Sequence, residues 1–344
     1  MRIGSLEFDF PVVQAALSGY SDAGMRRVAR LCGAPYALDE VVLDKLIVQK
    51  GRAQRRRLSI AADDHPIGGQ LMGSDPEQFG PAARELVAAG FDVVDINFGC
   101  PVPKVLGRCR GGFLLSVPAT ALEIIARVRD AVPVHIPVTV KMRRGLDDTP
   151  ASRDNFFEIF DGAFARGVAS VTVHGRTVEQ RYVGRSRWEF LAEVKRHAGS
   201  RTVLGSGDLF SAADVLAMMR QTGVDGVTVA RGAIGNPWIF QECRALWAGQ
   251  PLPDPPTLFE QRAVIREHYA TAMQIYGAKQ GSRIMRKFGI KYARLHPESV
   301  VVRDAFVAVA NESDWQAVLD QWYSIDTPGR CVSGAEMDET CTAA

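Results

Sequence analysis

The chain has 344 residues, of which 47% are hydrophobic, 8% aromatic and 23% charged, a make-up that fits a folded globular protein and excludes collagen-like or disordered sequence. Basic and acidic side chains nearly balance, 41 against 39, so no global positive field marks a nucleic-acid partner and any such contact must be a local patch. No apolar run approaches the length of a membrane span, and Glu7 and Asp9 stand where a secretory segment would be apolar; a cytoplasmic protein without membrane contact is expected.

From Val12 to about Arg231, short apolar or β-branched runs alternate with stretches of helical period. The runs are Val12–Leu17, Ala37–Leu43, Pro66–Met72, Val93–Gly99, Val138–Arg143, Ser170–Gly175, Thr202–Gly207 and Asp225–Arg231. Helices are predicted at Asp22–Cys32, Pro76–Ala89, Ala119–Val132, Asn155–Arg166, Trp188–Ala198 and Ala212–Thr222. Eight strands alternating with helices give an α/β fold, a (β/α)8 TIM barrel over residues 1–249. Gln250–Pro256 holds four prolines in seven residues and reads as a stiff linker. Residues 257–326 carry helical periodicity and predict a small helical bundle, and the tail at 327–344 is expected to be disordered. A monomer is expected.

A TIM barrel places its chemistry at the C-terminal ends of its strands, and reactive side chains gather there. Gly205-Ser-Gly-Asp208 and Ala230-Arg-Gly-Ala233, after the seventh and eighth strands, put small residues where backbone amides can approach a phosphate. Lys141 lies inside an apolar strand, a costly place for an ammonium unless it meets an anion or an electron-rich ring. His174 closes the next strand, and the pair beside two phosphate loops points to a phosphorylated aromatic cofactor. Cys100 follows the fourth strand on a turn between Gly99 and Pro101; a thiol there can be a nucleophile, a metal ligand or a proton donor. The six cysteines show no zinc-like spacing, which weakens the metal reading, and no metal is expected.

Several of these segments together resemble the tRNA-dihydrouridine synthases of bacterial type. They are Asp95-Ile-Asn-Phe-Gly-Cys-Pro-Val-Pro-Lys-Val105, Gly111-Gly-Phe-Leu-Leu115, Val138-Thr-Val-Lys-Met-Arg143, Val173-His-Gly-Arg-Thr177, Gln180-Arg-Tyr-Val-Gly184 and Ala230-Arg-Gly-Ala-Ile-Gly-Asn-Pro-Trp238. The resemblance runs from about Pro11 to Phe240. It implies an FMN-dependent enzyme in which reduced flavin passes a hydride to C6 of a uridine in tRNA while Cys100 protonates C5, with NADPH (or NADH) as reductant. It places Ala16, Leu17, Ser18, Gln70, Lys141 and His174 along the flavin, and Ser206, Gly207, Asp208, Ala230 and Arg231 around its phosphate. Asn97, Arg176 and Tyr182 would face the substrate base.

Residues 279–294 hold six basic side chains and no acidic one: Lys279, Arg283, Arg286, Lys287, Lys291 and Arg294. They are expected to contact the RNA backbone, and the cluster Arg52, Arg55, Arg56 and Arg57 could add to that contact. The chain departs from the family's usual pattern at Ala15-Ala16-Leu17, where Ala-Pro-Met is common, at Ser206 in place of Asn, and at Phe288 in place of His. An FMN-dependent reductase of a free pyrimidine or enoate would share the barrel but would not need the basic helical region. A non-catalytic RNA-binding relative would be expected to lack Cys100 or Lys141, and both are present.

Overall fold

Gly4, at a φ of +58° that favours glycine, turns a short hairpin of β1 (Arg2–Ile3) and β2 (Leu6–Glu7), and the chain then enters a nine-stranded sheet. The computed structural model describes residues 1–51, 54 and 58–339. The sheet contains β3 (Val12–Gln14), β4 (Tyr36–Leu38), β5 (Val42–Leu43), β6 (Ile67–Met72), β7 (Val93–Phe98) and β8 (Val138–Arg143). It continues with β9 (Ser170–His174), β10 (Val203–Ser206) and β11 (Gly226–Val229). β4 pairs with β6 in parallel, which closes the sheet on itself and leaves β5 as a short addition beside the end of β6. The result is the expected eight-stranded parallel barrel with helices between strands. The second predicted run differs in detail: it divides into β4 and β5 around Asp39–Val41.

Helices observed at Ala23–Leu31, Pro76–Ala88, Pro118–Ala131, Trp188–Ala198 and Ala212–Thr222 match the sequence pattern to within a residue. The helix predicted from Asn155 begins earlier, at Pro150, because the Thr149 side chain accepts a hydrogen bond from the Ser152 amide and Pro150 suits a first helical turn.

Alternation decides what each strand shows the interior. A Cβ on Gly69 or Gly205 would run into Leu86 or Met218 of the outer layer, so Gly68, Gln70, Leu204 and Ser206 face inward. A Cβ on Gly68 would lie 2.3 Å from the Tyr36 hydroxyl oxygen, so only glycine leaves room for that ring. Tyr36 stacks on Phe8 at 5.3 Å, and with Ile3, Val13, Leu38, Val93 and Leu204 they fill the N-terminal end of the barrel. The hairpin is thus a plug of apolar side chains beneath the strands.

Contacts group the chain into two compact units. One comprises Met1–Gly19, Pro35–Asp208 and Ala217–Thr228; the other comprises Tyr20–Ala34, Leu209–Leu216 and everything from Val229. The boundary therefore does not fall at the proline-rich segment 250–256. The helix Ala23–Leu31 belongs with the C-terminal helices because Asp22, its N-cap, accepts a hydrogen bond from the Tyr276 hydroxyl at 3.0 Å.

The second unit is built on Leu258–Tyr292, started by a capping box of Thr257 and Glu260 and broken at Gly277, where φ is 74° and ψ 163°. Helices Ser299–Ala308 and Glu312–Trp322 pack on it through Phe306, Trp315 and Tyr269, the last two stacked at 4.8 Å. The expectation of disorder beyond Thr327 is corrected as far as Glu339. The Arg330 amide donates to Leu295 O at 2.9 Å, Ser333 and Glu336 cap a short helix at Gly334–Glu339, and the Met337 side chain is buried. No helix among the described residues is long and apolar enough to cross a membrane.

Candidate active site

The C-terminal mouth of the barrel is organised by a one-way chain of hydrogen bonds. Asp95, fully buried on β7, accepts from the Thr139 hydroxyl and from Gln70 Nε2 at 2.7 Å. Because a carboxylate only accepts, the Gln70 amide must point its nitrogen at Asp95 and its oxygen away. That oxygen accepts from Asn97 Nδ2 at 2.7 Å, which leaves Asn97 Oδ1 to accept the backbone amides of Gly99 and Cys100 at 3.0 and 3.1 Å. Asn97, expected to face the substrate, thus also holds the Cys100 turn. Burial, the largest influence, pushes the Asp95 carboxyl up, while Thr139, Gln70 and the Lys141 charge pull it down; the net is upward.

Cys100 lies on this turn, partly exposed. Burial raises its thiol above the ordinary 9.0, against smaller downward pulls from the Val102 amide and the Arg143 charge. The sulfur is therefore held as a thiol at neutral pH, which suits proton donation better than thiolate attack. A Cβ on Gly111 would lie 2.9 Å from Cys100 Cβ, so glycine is what lets the following loop fold back over the thiol.

Lys141 shares the inward face of β8 with Thr139, and its ammonium donates to Ser206 Oγ on β10 at 3.2 Å. Burial lowers it to about 8, against a pull upward from Asp95. His174 Nδ1 accepts the Arg176 amide at 3.1 Å, so Nε2 is the ring donor, on the side of the Ser206-Gly207-Asp208 turn. Gln70, Asn97, Lys141, His174 and Ser206 are thus brought together at one end of the barrel, and Ala16 and Leu17, partly exposed, and Ser18, exposed, follow β3 at that end.

Other side chains expected at the site have partners within the protein. Arg176, expected to face the substrate base, is 2% exposed: its guanidinium pairs with Asp208 at 2.7 Å and donates to Gly184 O. Asp208, expected at the phosphate, turns its carboxylate to Arg176 and to the Ser186 amide at 2.7 Å, and its backbone, at a φ of +59°, completes the turn after β10. Arg143 is a residue sequence reasoning left without a role. Buried, it donates to Gly99 O at 2.9 Å and to the carbonyls of Thr177 and Arg181 at 2.7 Å, tying the cysteine turn to the loop after β9. Its guanidinium lies 5.6 Å from the ring of Tyr182, which is half exposed. The signal was present, an arginine two residues after Lys141 on the same strand face, but its partners are carbonyls that carry no sequence mark.

In the second unit, Ala230 precedes a one-turn helix at Arg231–Ala233, and the Arg231 guanidinium lies 4.8 Å from the Phe210 ring. The basic stretch splits. Lys279, Arg283 and Arg286 are exposed and Lys287 is partly so, its ammonium 4.5 Å from the Tyr20 ring. Lys291 and Arg294 are buried, with Arg294 Nη1 3.2 Å from Met337 sulfur, and they are not part of a surface patch. Arg52, Arg55, Arg56 and Arg57 lie outside the described residues.

The family profile described as "Dihydrouridine synthase (Dus)" matches residues 13–325. The chain belongs to the dihydrouridine synthase family. It is 36% identical over 330 residues to a "Probable tRNA-dihydrouridine synthase" of Mycobacterium tuberculosis, covering 93% of this chain and 84% of that one. It is 34% identical over 326 residues to "tRNA-dihydrouridine synthase B" of Xanthomonas axonopodis pv. citri, covering 94% and 95%. Among solved structures, the old yellow enzyme homologue from Zymomonas mobilis aligns with a TM-score of 0.53 at 15% identity, over 74% of this chain and 93% of that one. A 2-naphthoyl-CoA reductase aligns at 0.58 and 12% identity over 73% of this chain, which spans about half, 52%, of the reductase. At such identities the structural likeness shows the barrel fold alone. The family is one of oxidoreductases, and this chain is an enzyme of it.

Proposed function

We propose that the enzyme reduces the C5–C6 double bond of uridines in tRNA to 5,6-dihydrouridine, with FMN as its flavin and NADPH (or NADH) as the reductant. The relatives' names supply the substrate class. The residues at the mouth fit a flavin: Lys141 has three donors and, among the described residues, only the Ser206 bond, so a deep cation retains capacity for an electron-rich ring or anion. The Ser206-Gly207-Asp208 turn offers backbone amides for the phosphate, and Gln70 and His174 offer fixed donors and acceptors along the ring. The family resemblance also gives cofactor roles to Ala16, Leu17 and Ser18 in the first unit and, independently, to Ala230 and Arg231 in the second.

Reduced FMN, when bound, supplies the hydride that goes to C6 of the uracil. Cys100 keeps a proton on its sulfur and releases it to C5, on the carbon that becomes electron-rich. Asn97 fixes the cysteine's backbone, Arg143 ties that turn to the loop carrying Tyr182, and Tyr182 offers its half-exposed ring to the incoming nucleoside. A uridine in folded RNA must leave its stack to enter such a pocket. The observation that carries the reading is a protonated, partly exposed thiol held by Asn97 at the mouth of this barrel.

The test is the dihydrouridine content, by mass spectrometry, of tRNA lacking the modification after incubation with protein, FMN and NADPH. New dihydrouridine is expected, and fragment mapping gives its position. None, from a yellow protein that still oxidises NADPH, would overturn the assignment in favour of a small-molecule substrate.

A further inference from the structure

Beside the Cys100 turn, the loop after β7 and the loop after β9 enclose a crevice of about 500 Å3. Its apolar lining is Leu106 and Phe113 from the first loop and Leu146, Val178 and Val183 from the other side, with Glu179, Gln180 and Arg181 as the polar part of the wall. Val183 is 77% exposed, so its branched aliphatic side chain is open to a ligand. The crevice adjoins the backbone of the Cys100 turn, since the Gly112 amide, next to Phe113, donates to Cys100 O at 3.1 Å.

The rims carry charge of one sign. Residues 102–110 and 180–188 hold Lys104, Arg108, Arg110, Arg181, Arg185 and Arg187 and no acidic side chain. Arg187 pairs with Asp148 at 3.0 Å, whereas Lys104, Arg108, Arg181 and Arg185 form no ion pair among the described residues, and all four are exposed. Glu179, exposed in the wall, is the exception. Its carboxylate provides an acceptor for the N–H edge of a base. An apolar slot of this size with one aromatic wall, an acceptor, and unpaired cations on both lips matches a nucleotide: base inside, phosphates on the rims.

We infer that this crevice holds the base of the nucleotide next to the uridine being reduced, with its phosphates on Arg108 and Arg181. This rests on the RNA reading above. Seating the neighbour there separates it from the target base, holds the strand open, and makes the enzyme sensitive to the sequence flanking its uridine.

The test uses the full-length, FMN-loaded protein and fluorescence anisotropy at fixed salt. The probes are a single-stranded pentaribonucleotide with central uridine, and the same strand with abasic sugars flanking that uridine, phosphates retained. The abasic strand is expected to bind about tenfold more weakly, or ~1.4 kcal/mol. The double variant L106S/V183S, at partly or fully exposed positions, should bind the natural strand as weakly as the wild type binds the abasic one, and the two strands alike. R108Q/R181G should weaken both strands together and flatten the salt dependence. If wild type binds the two strands within twofold, or if L106S/V183S still discriminates between them, the crevice is not a base site. Dihydrouridine formation in whole tRNA is read in parallel with wild type: its absence overturns the function, while the oligonucleotide comparison judges the crevice alone.

Discussion

Asn97 has one amide with which to serve two neighbours, and its orientation is set two side chains away. The buried Asp95 carboxylate fixes Gln70, Gln70 fixes Asn97, and Asn97 Oδ1 caps the Cys100 turn. The thiol at the end of this chain is predicted to be the proton donor. C100A should therefore keep its flavin absorbance while base reduction falls by about 10²–10⁴-fold, the usual worth of a general acid; wild-type turnover in C100A would exclude that role. Because the thiol lies above its ordinary 9.0, the acid form persists through neutral pH and reduction should decline only as pH rises past that value. A pH profile of single-turnover reduction checks it. The positions of Cys100 and Lys141 at the strand ends of the barrel were legible in the sequence because a thiol after a glycine and a lysine within an apolar strand violate the local pattern. The pairing of Arg176 was not legible, because nothing in the order of residues says that Asp208 turns back to neutralise it. Asp95 and Arg143 went unassigned for a related reason: one acts through an amide's polarity, the other on backbone carbonyls.

Between elements, the most consequential side chain is Asp22. It caps the helix Ala23–Leu31 through the Met25 amide, accepts from Tyr276 and lies 3.9 Å from His268 Nε2, whose other nitrogen meets the Tyr292 hydroxyl at 3.0 Å. Burial pushes its carboxyl up, but His268, the Met25 amide and Tyr276 together pull it below the ordinary 3.8. A lowered carboxyl contributes stability that is complete above its unfolded value and is lost as pH falls through the folded one. Asp22→Ala should cost about 2–4 kcal/mol by removing a cap and leaving buried donors unpartnered. Asp22→Asn should retain much of that while flattening the acid limb of the stability curve. Denaturant titrations at neutral and acid pH check both; an unchanged acid limb in D22N would assign it to other carboxylates. None of this could be read from the sequence, where Asp22 looks like an ordinary cap. The ordered segment up to Glu339 escaped for the opposite reason: its polar, small-residue composition resembles a free tail, and its order comes from partners such as Leu295 and Arg294 far along the chain.

At the scale of the molecule, the barrel was legible because strand runs and caps repeat on a fixed period, and each unit is local in sequence. The grouping of Tyr20–Ala34 with the C-terminal helices was not, since it depends on packing between segments hundreds of residues apart. The basic stretch was half legible: composition found it, but only burial separates Lys291 and Arg294 from the exposed face. Replacing Arg283, Arg286 and Lys287 together by glutamine should weaken tRNA binding and reduce the slope of log affinity against log salt by roughly 0.9 for each phosphate that is no longer neutralised. An unchanged slope would show that the RNA lies elsewhere.

The apolar plug under the strands has a kinetic consequence. Phe8, Tyr36 and Leu38 fill the lower end, so among the described residues the barrel's interior is approached from the C-terminal mouth. Under the proposed reaction, the nicotinamide that would deliver electrons and the uridine that would receive them would share that mouth and use it in turn. Initial rates with both substrates varied should then give parallel double-reciprocal lines, the mark of substitution of one visitor by the next; intersecting lines would require room for both at once.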